Sequence, residues 1–133
     1  MQKQKFKSNE TQGQFEIKAQ VNFISSESNP ETNYFFFSYK IKITNHGSTP
    51  AQLMSRHWII TDGTGHIEEV RGAGVVGAQP KIAPGGSFEY ESACPLCTSS
   101  GSMRGTYQLL TDDGHSFDAE IPEFYLIAPS ALH

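Results

Sequence analysis

The 133-residue sequence predicts an all-β protein, a β-sandwich of seven to eight short antiparallel strands. Apolar and polar residues alternate at period two from Phe15 onward, and helical periodicity is nearly absent. Turn-forming residues recur roughly every 8 to 12 positions, a spacing typical of sandwiches. We expect one domain over residues 15–129, with a flexible N-terminal tail at 1–14 and a C-terminal tail at 130–133.

The first two predicted strands show the clearest alternation. Phe15 to Phe23 places apolar residues on one face and polar residues on the other, and Asn29-Pro30 predicts a turn after it. Phe35 to Ile43 repeats the pattern, with Tyr34 and Phe36 adding aromatic rings to its polar face. These two rings indicate either that both faces of the strand are buried against other parts of the protein or that the strand presents an exposed binding surface.

The third predicted strand, Leu53 to Thr61, carries Trp58, which we expect in the core. Its neighbour His57 then points the opposite way. Without a partner at a recognisable spacing, His57 is interpreted as a lone exposed histidine rather than a proton carrier. Asp62-Gly63-Thr64-Gly65 predicts a hairpin turn into a short strand, Ile67 to Val70.

The last predicted strands follow a glycine-rich connection. Pro84-Gly85-Gly86 begins one of them, with Phe88 and Tyr90 on a single face. Gly105 to Leu110 and Ser116 to Ile121 then pair across a second Asp-Gly turn, Asp112-Asp113-Gly114. This arrangement completes the predicted sandwich.

Composition excludes several classes of function. The formal net charge of −4, with 18% charged residues, lacks the basic surplus of a nucleic-acid-binding domain. The basic cluster Lys3, Lys5 and Lys7 is interpreted as a solvated tail. No apolar run approaches the ~18 residues of a membrane span, so we expect a soluble, cytoplasmic protein that contacts neither membrane nor nucleic acid.

The segment from Arg71 to Pro80 contains the G-x-G-x-x-G string of dinucleotide-binding proteins. That motif requires a helix beginning within the glycines, whereas Val75, Val76 and Pro80 disfavour a helix here. Two interpretations remain. The glycines either permit a tight connection between strands, or they form a recognition loop or an anion-binding nest of amides flanked by Arg71 and Lys81.

The two cysteines, Cys94 and Cys97, lie in Cys94-Pro95-Leu96-Cys97. A disulfide there requires Pro95 to seed a turn, since residues three apart on a strand lie about 10 Å apart. Zinc needs four ligands, and neither a second cysteine pair nor a His-x₃₋₅-His spacing occurs. We therefore expect free thiols, no metal, no cofactor and no catalytic residues.

Four ordered strings together resemble the ApaG family, also called CorD or DUF525. They are Ser55–Asp62, Val70–Gly77, Pro84–Gly86 and Gly101–Tyr107. The resemblance runs from about Phe15 to Pro129 and implies an immunoglobulin-like or fibronectin type III-like sandwich. Two positions depart from the family pattern: Ala73 stands where an acidic residue is common, and Cys97 adds a second thiol.

The resemblance carries over no established catalytic residues, and because the sequence offers no catalytic set of its own we expect no enzyme. Bacterial members are linked genetically with cobalt tolerance and magnesium flux, and related eukaryotic domains are appended to proteins in which an interaction role is assumed. We expect a binding or adaptor module, a monomer or weak homodimer, that contacts an unidentified protein partner through loop 71–81. The alternative is a phosphate, nucleotide-phosphate or divalent-cation-linked sensor using the same loop. The candidate binding residues are Arg71, Gly72, Gly74, Val75, Val76, Gly77 and Lys81, with Tyr34, Phe36 and His57 as a further candidate surface.

Overall fold

The computed structural model describes residues 14–129. Eight strands form: β1 Phe15–Phe23, β2 Phe35–Asn45, β3 Ala51–Asp62, β4 Ile67–Ala73, β5 Lys81–Ile82, β6 Ser87–Leu96, β7 Ser100–Thr111 and β8 Ser116–Ile127. Two 3₁₀ turns, Ser25–Glu27 and Pro30–Thr32, connect β1 to β2. The predicted tails lie outside the described residues except for Gln14, and so does the basic cluster of Lys3, Lys5 and Lys7.

The strands form two antiparallel sheets, as the sequence predicts. A small sheet has the order β1-β2-β6, and a large sheet has the order β4-β3-β7-β8. The two-residue strand β5 also pairs with β3, on the edge that β4 occupies further along. The strand β5 was not expected, because two residues are too few to carry an alternating pattern.

The core lies between the sheets and consists of the inward residues of each alternating strand. Phe37, Ile41 and Leu53 are fully buried, and Trp58 is buried as predicted. The indole of Trp58 packs edge-to-face against Tyr39, with ring centroids 5.6 Å apart, and against Phe124 at 5.9 Å. Such pairs add directional aromatic contacts to the burial of a large apolar area.

Both predicted Asp-Gly turns occur. At the first, Oδ1 of Asp62 accepts hydrogen bonds from the backbone N–H and the hydroxyl of Thr64, while Gly65 adopts φ +89°. This Asp-capped turn joins β3 to β4. The second turn joins β7 to β8, and Gly105 to Leu110 pair with Ser116 to Ile121 in the expected antiparallel register.

A buried asparagine ties together the end of the sandwich at which the β7–β8 turn lies. Asn45, the last residue of β2, is fully buried. Its Nδ2 donates to the carbonyls of Thr49 and Ile82, and its Oδ1 accepts from the amide of Gly47. One side chain therefore joins the small sheet to β5 of the large sheet and fixes the β2–β3 connection.

Candidate functional site

The glycine-rich segment is divided between two strands and a turn. Arg71, Gly72 and Ala73 belong to β4 and pair with residues of β3, and Lys81 belongs to β5. The predicted loop 71–81 is therefore too long at both ends, because backbone pairing with β3 extends through these residues. Only residues 74–80, which we name the glycine turn, leave the sheet edge and return to it.

The tip of the glycine turn is a tight reversal closed by two backbone hydrogen bonds. The amide of Val75 donates to the carbonyl of Ala78 and the amide of Ala78 donates back, both at 2.8 Å. The central residues Val76 and Gly77 have φ values of 41° and 81°. Positive φ at both central positions is the geometry of a type I′ turn, which matches the twist of flanking antiparallel segments.

The two valines of the turn have opposite environments. Val76 is 59% exposed at the tip, whereas Val75 is completely buried between the sheets. The prediction of Val75 as a binding residue is therefore wrong, because its side chain is part of the core. Val76 remains available, although left-handed φ is unfavourable for a β-branched residue.

The base of the turn is anchored to β3 by three groups. The carbonyl of Met54 accepts from the amide of Gly74 and from Nε2 of Gln79, both at 2.9 Å. Nη1 of Arg56 donates to the carbonyls of Ala73 and Gly74, at 3.1 and 2.8 Å. Because these bonds fix both sides of the turn, the strained tip projects from a rigid base.

Two glycines make close approaches that a side chain would prevent. A Cβ on Gly72 would lie 2.9 Å from three guanidinium atoms of Arg56. A Cβ on Gly74, which has φ +61°, would lie 2.1 Å from the carbonyl oxygen of Ala78. Gly72 thus makes room for Arg56, and Gly74 permits the turn itself.

Arg56 did not emerge from the sequence as a functional residue, although a signal for it exists. Side chains on a strand alternate between faces, so a core tryptophan at 58 places residue 56 on the same inward face. A charged residue at an inward position is uncommon unless it has hydrogen-bond partners. The adjacent carbonyls of Ala73 and Gly74 are those partners here.

His57 lies on the outer face, as predicted, but it has a partner. Its Nε2 is 2.8 Å from Oε1 of Glu69, and Nη2 of Arg71 is 3.5 Å from the same oxygen. The hydrogen bond with His57 is the largest cause that lowers the pKa of Glu69, and the charge of Arg71 adds to it. The interpretation of His57 as a lone histidine is wrong, because the β3–β4 pairing brings a carboxylate diagonally across from it.

The aromatic pair Tyr34 and Phe36 lies at the far end of the sandwich from the glycine turn. Phe35, between them, pairs with Leu96, and the adjoining Cys97 has its sulfur 3.6 Å from Oδ2 of Asp62, at the end of β3. The glycine turn is anchored to Met54, eight residues earlier on β3 and thus about 26 Å away along an extended strand. Tyr34 and Phe36 therefore cannot form one surface with the glycine turn, because strand direction separates them.

The two cysteines are free thiols in different environments. Cys94 is buried in β6, whereas Cys97 lies just beyond that strand and is exposed. Pro95 does not begin a turn but pairs with Phe36 within β6, an edge strand in which the missing N–H is tolerated. Burial raises the pKa of Cys94 to about 11, so its thiol stays protonated at neutral pH.

Within residues 14–129, no three histidine, cysteine or acidic side chains come together as a metal site. Lys81, expected to flank an anion, instead has its Nζ 2.6 Å from Oδ1 of Asp112. Three amides of the glycine turn, those of Gly74, Val75 and Ala78, already donate to backbone carbonyls. The described part of the chain has no helix long and apolar enough to cross a membrane.

These features define an antiparallel β-sandwich domain that presents a rigid, glycine-dependent turn at one edge of its larger sheet. The chain belongs to the ApaG domain family, DUF525, whose model matches residues 25–111. The sequence-based resemblance is thereby confirmed.

Two relatives and one solved structure extend the match over most of the chain. Protein ApaG of Bdellovibrio bacteriovorus is 66% identical over 119 residues, covering 90% of this chain and 94% of the relative. Protein ApaG of Pseudomonas aeruginosa is 54% identical over 124 residues, covering 93% and 98%. A crystal structure described as an ApaA protein from Bordetella pertussis is 48% identical and covers 86% of this chain and 94% of its own, with a TM-score of 0.84.

Proposed function

We propose that this domain is a non-enzymatic binding module that recognises a protein partner with the glycine turn. The observation that carries the proposal is Val76, an exposed β-branched side chain held at φ 41° on an anchored tip. Left-handed backbone for such a residue costs on the order of 1–2 kcal/mol. Backbone strain of this kind concentrates at ligand clamps and active sites, and the surrounding structure must hold it in place.

The anchoring of the turn favours recognition by a preformed surface. The bonds from Arg56 and Gln79 hold the turn before any partner arrives, so binding needs little further ordering of the chain. Val76 offers an apolar contact, and the guanidinium of Arg71 stands exposed nearby on β4. Aromatic and arginine side chains, with apolar contacts around them, dominate the energetics of protein interfaces.

The protonation states of Cys94 and Tyr39 agree with a binding role. The raised pKa of Cys94 keeps it as an unreactive thiol, since the thiolate is the nucleophile. Burial likewise raises the pKa of Tyr39, so its phenol remains neutral. Neither group is poised to exchange a proton near neutral pH.

The alternative function is a sensor of phosphate, nucleotide phosphate or divalent cations that uses the same turn. Because the amides of Gly74, Val75 and Ala78 already have acceptors, the turn offers few donors to an anion. We expect calorimetry with ATP, diadenosine tetraphosphate or pyrophosphate to detect no binding tighter than about 0.1 mM. Micromolar binding that is lost in Gly74→Val would favour the sensor instead.

The binding proposal is tested by affinity capture with the full chain immobilised at physiological salt. Val76→Gly removes the apolar contact while suiting the positive φ, so the fold is retained. We expect a partner captured at stoichiometric amounts by the native chain to fall about tenfold with Val76→Gly. Val76→Asn, which also tolerates left-handed backbone, should behave in the same way.

The matched control is Ile67→Ser, which removes another exposed aliphatic side chain, at the far end of β4. Its capture of the partner should equal that of the native chain. Equal capture by the native chain and Val76→Gly, or the absence of any stoichiometric partner, would contradict the proposal. Circular dichroism of each variant shows whether the β-sandwich is intact.

A further inference from the structure

A cleft opens between the sheets on one side of the sandwich. On the other side β1 packs against β8, whereas the edge strands β4 and β6 stand apart. The cleft between them has a volume of about 290 Å³. The cleft is lined by residues 68 and 70 of β4 and by residues 92–95 of β6, and the tip of the glycine turn is not part of its lining.

Inward positions of a sandwich are ordinarily apolar, yet three polar side chains line this cleft. Arg56, Glu68 and Ser92 share it with Trp58, Val70 and Cys94, all at inward positions of their strands. Arg56 is half-buried, and a charged group there is unfavourable unless partners compensate it, whereas Glu68 is exposed to solvent. Convergent polar groups over an apolar floor are the usual arrangement of a ligand site.

The guanidinium of Arg56 has N–H donors that no acceptor among the described residues uses. Its Nη1 makes both hydrogen bonds that the guanidinium forms within residues 14–129, to the carbonyls of Ala73 and Gly74. No carboxylate of these described residues lies within 4 Å of it. A guanidinium carries five N–H donors in a planar fork that suits a carboxylate. The half-buried cation is therefore fixed in position and available to an anion.

The floor of the cleft is apolar and rigid. The indole of Trp58 is held edge-to-face by Tyr39 and Phe124, and Ile60 and Met103 lie beside it. Burial raises the pKa of Tyr39 and that of Cys94, so both groups remain uncharged at neutral pH. Arg56 and Glu68 are then the charged side chains that line the cleft.

The charged side chains of Arg56 and Glu68 lie at opposite ends of the cleft. Arg56 lies against Gly72, and Glu68 is four residues away on β4, about 13 Å along an extended strand. A ligand with one negative charge can contact Arg56 while its apolar body covers the floor. A compact multivalent anion gains one cation but is repelled by Glu68 and leaves the apolar floor unused.

We propose that the cleft binds a small amphipathic monocarboxylate, with its carboxylate on Arg56 and an aromatic or aliphatic body against Trp58. This site is distinct from the tip of the glycine turn, so it does not depend on the binding function proposed above. The ligand lies with its charged end toward Gly72 and its apolar end toward Ile60.

The chain contains a single tryptophan, so its fluorescence reports on this cleft. We expect titration with 3-phenylpropionate to change the emission of Trp58 saturably, with a dissociation constant on the order of 1 mM, as befits a small fragment. The uncharged 3-phenylpropanol, which lacks the carboxylate, should bind about tenfold more weakly. Inorganic phosphate and pyrophosphate should bind more weakly than 3-phenylpropionate.

Two substitutions should change the affinity for 3-phenylpropionate in opposite directions. Arg56→Gln should weaken 3-phenylpropionate binding about tenfold, since a hydrogen bond to a charged group is lost. Glu68→Lys, at an exposed position that does not threaten folding, should strengthen binding about fivefold at low salt. Glu91→Lys is the control, because it makes the same change on the outer face of β6.

Each result bears on the proposal. It is overturned if 3-phenylpropanol binds as well as 3-phenylpropionate, if Glu68→Lys binds no more tightly than Glu91→Lys, or if phosphate binds best. The absence of a saturable change also overturns it. Val76→Gly should leave the dissociation constant unchanged, so failure of this proposal is distinguishable from failure of the binding-module proposal.

Discussion

Val75 and Val76 are adjacent in sequence, yet we predict that truncating Val75 lowers the free energy of unfolding whereas truncating Val76 does not. Val75 is completely buried, whereas Val76 is 59% exposed with φ 41°. Val75→Ala should destabilise the domain, and Val76→Gly should leave its stability unchanged or raise it. Comparing these two variants tests whether the glycine turn is anchored by the core contacts of Val75 or by contacts of Val76 at its tip.

The expected loss for Val75→Ala follows from its burial. Removing two methyl groups costs about 0.8 kcal/mol each in transfer free energy, and the cavity left behind raises the total to about 2–3 kcal/mol. For a chain of 133 residues the entropy of unfolding is about 0.28 kcal/mol/K, so 1 kcal/mol shifts Tm by about 3.6 °C. The thermal midpoint should therefore fall by about 7–11 °C.

The expected effect of Val76→Gly is a difference of two small quantities. Relief of the left-handed backbone gains about 1–2 kcal/mol, while the greater freedom of glycine in the unfolded chain costs about 0.5–1 kcal/mol. The net change lies between about 0 and +1.5 kcal/mol, or up to about 5 °C in Tm. Urea denaturation monitored by Trp58 fluorescence and by circular dichroism measures both variants.

The reasoning is refuted if Val75→Ala costs less than about 1 kcal/mol, since a fully buried valine cannot be removed so cheaply. It is also refuted if Val76→Gly destabilises the domain by more than about 1 kcal/mol, because the tip would then contribute packing. Either comparison requires that the slope of unfolding free energy against urea concentration is the same for the variant and the native chain.

Three further predictions follow from buried or hydrogen-bonded groups. Asn45→Ala should cost about 2–4 kcal/mol in urea unfolding, since it leaves buried backbone groups unpaired; a loss below about 1 kcal/mol contradicts this. Iodoacetamide should modify Cys97 well before Cys94 in the native protein, because Cys94 is buried with a pKa of about 11, and equal rates by mass spectrometry would contradict this. The hydrogen bond from the side chain of Thr64 is the largest cause that lowers the pKa of Asp62. The ionised carboxylate therefore stabilises the folded domain above the unfolded pKa of 3.8, and this contribution to the free energy of unfolding should be lost as pH falls through the lower pKa of the folded state. Asp62→Asn should flatten that acid dependence, and an unchanged pH profile counts against the turn geometry.

Much of the fold could be predicted because alternation and turn chemistry are local properties. The first strand was predicted with the bounds that β1 has, and both Asp-Gly turns occur where expected. The other predicted strands are shorter than the observed ones. The ends of β4 and the whole of β5 are defined by backbone bonds to β3, and those bonds do not depend on side-chain type.

The candidate site was only partly predictable. The sequence indicated the glycine segment and an inward-facing Trp58, because both follow from residue type and strand period. It did not indicate that Val75 is buried, that His57 contacts Glu69, or that Arg56 holds the turn and lines a cleft. Each of these depends on which residues different strands bring together.

The sequence by itself determined the class of fold, the positions of the hairpin turns and the alternation that builds the core. The tertiary structure alone decided that Tyr34 and Phe36 lie far from the glycine turn, and that Arg56 faces a cleft between two edge strands. The physical reason is the range of the forces involved. Backbone preference and side-chain alternation act between neighbours in sequence, whereas strand order and register are fixed by packing between residues dozens of positions apart.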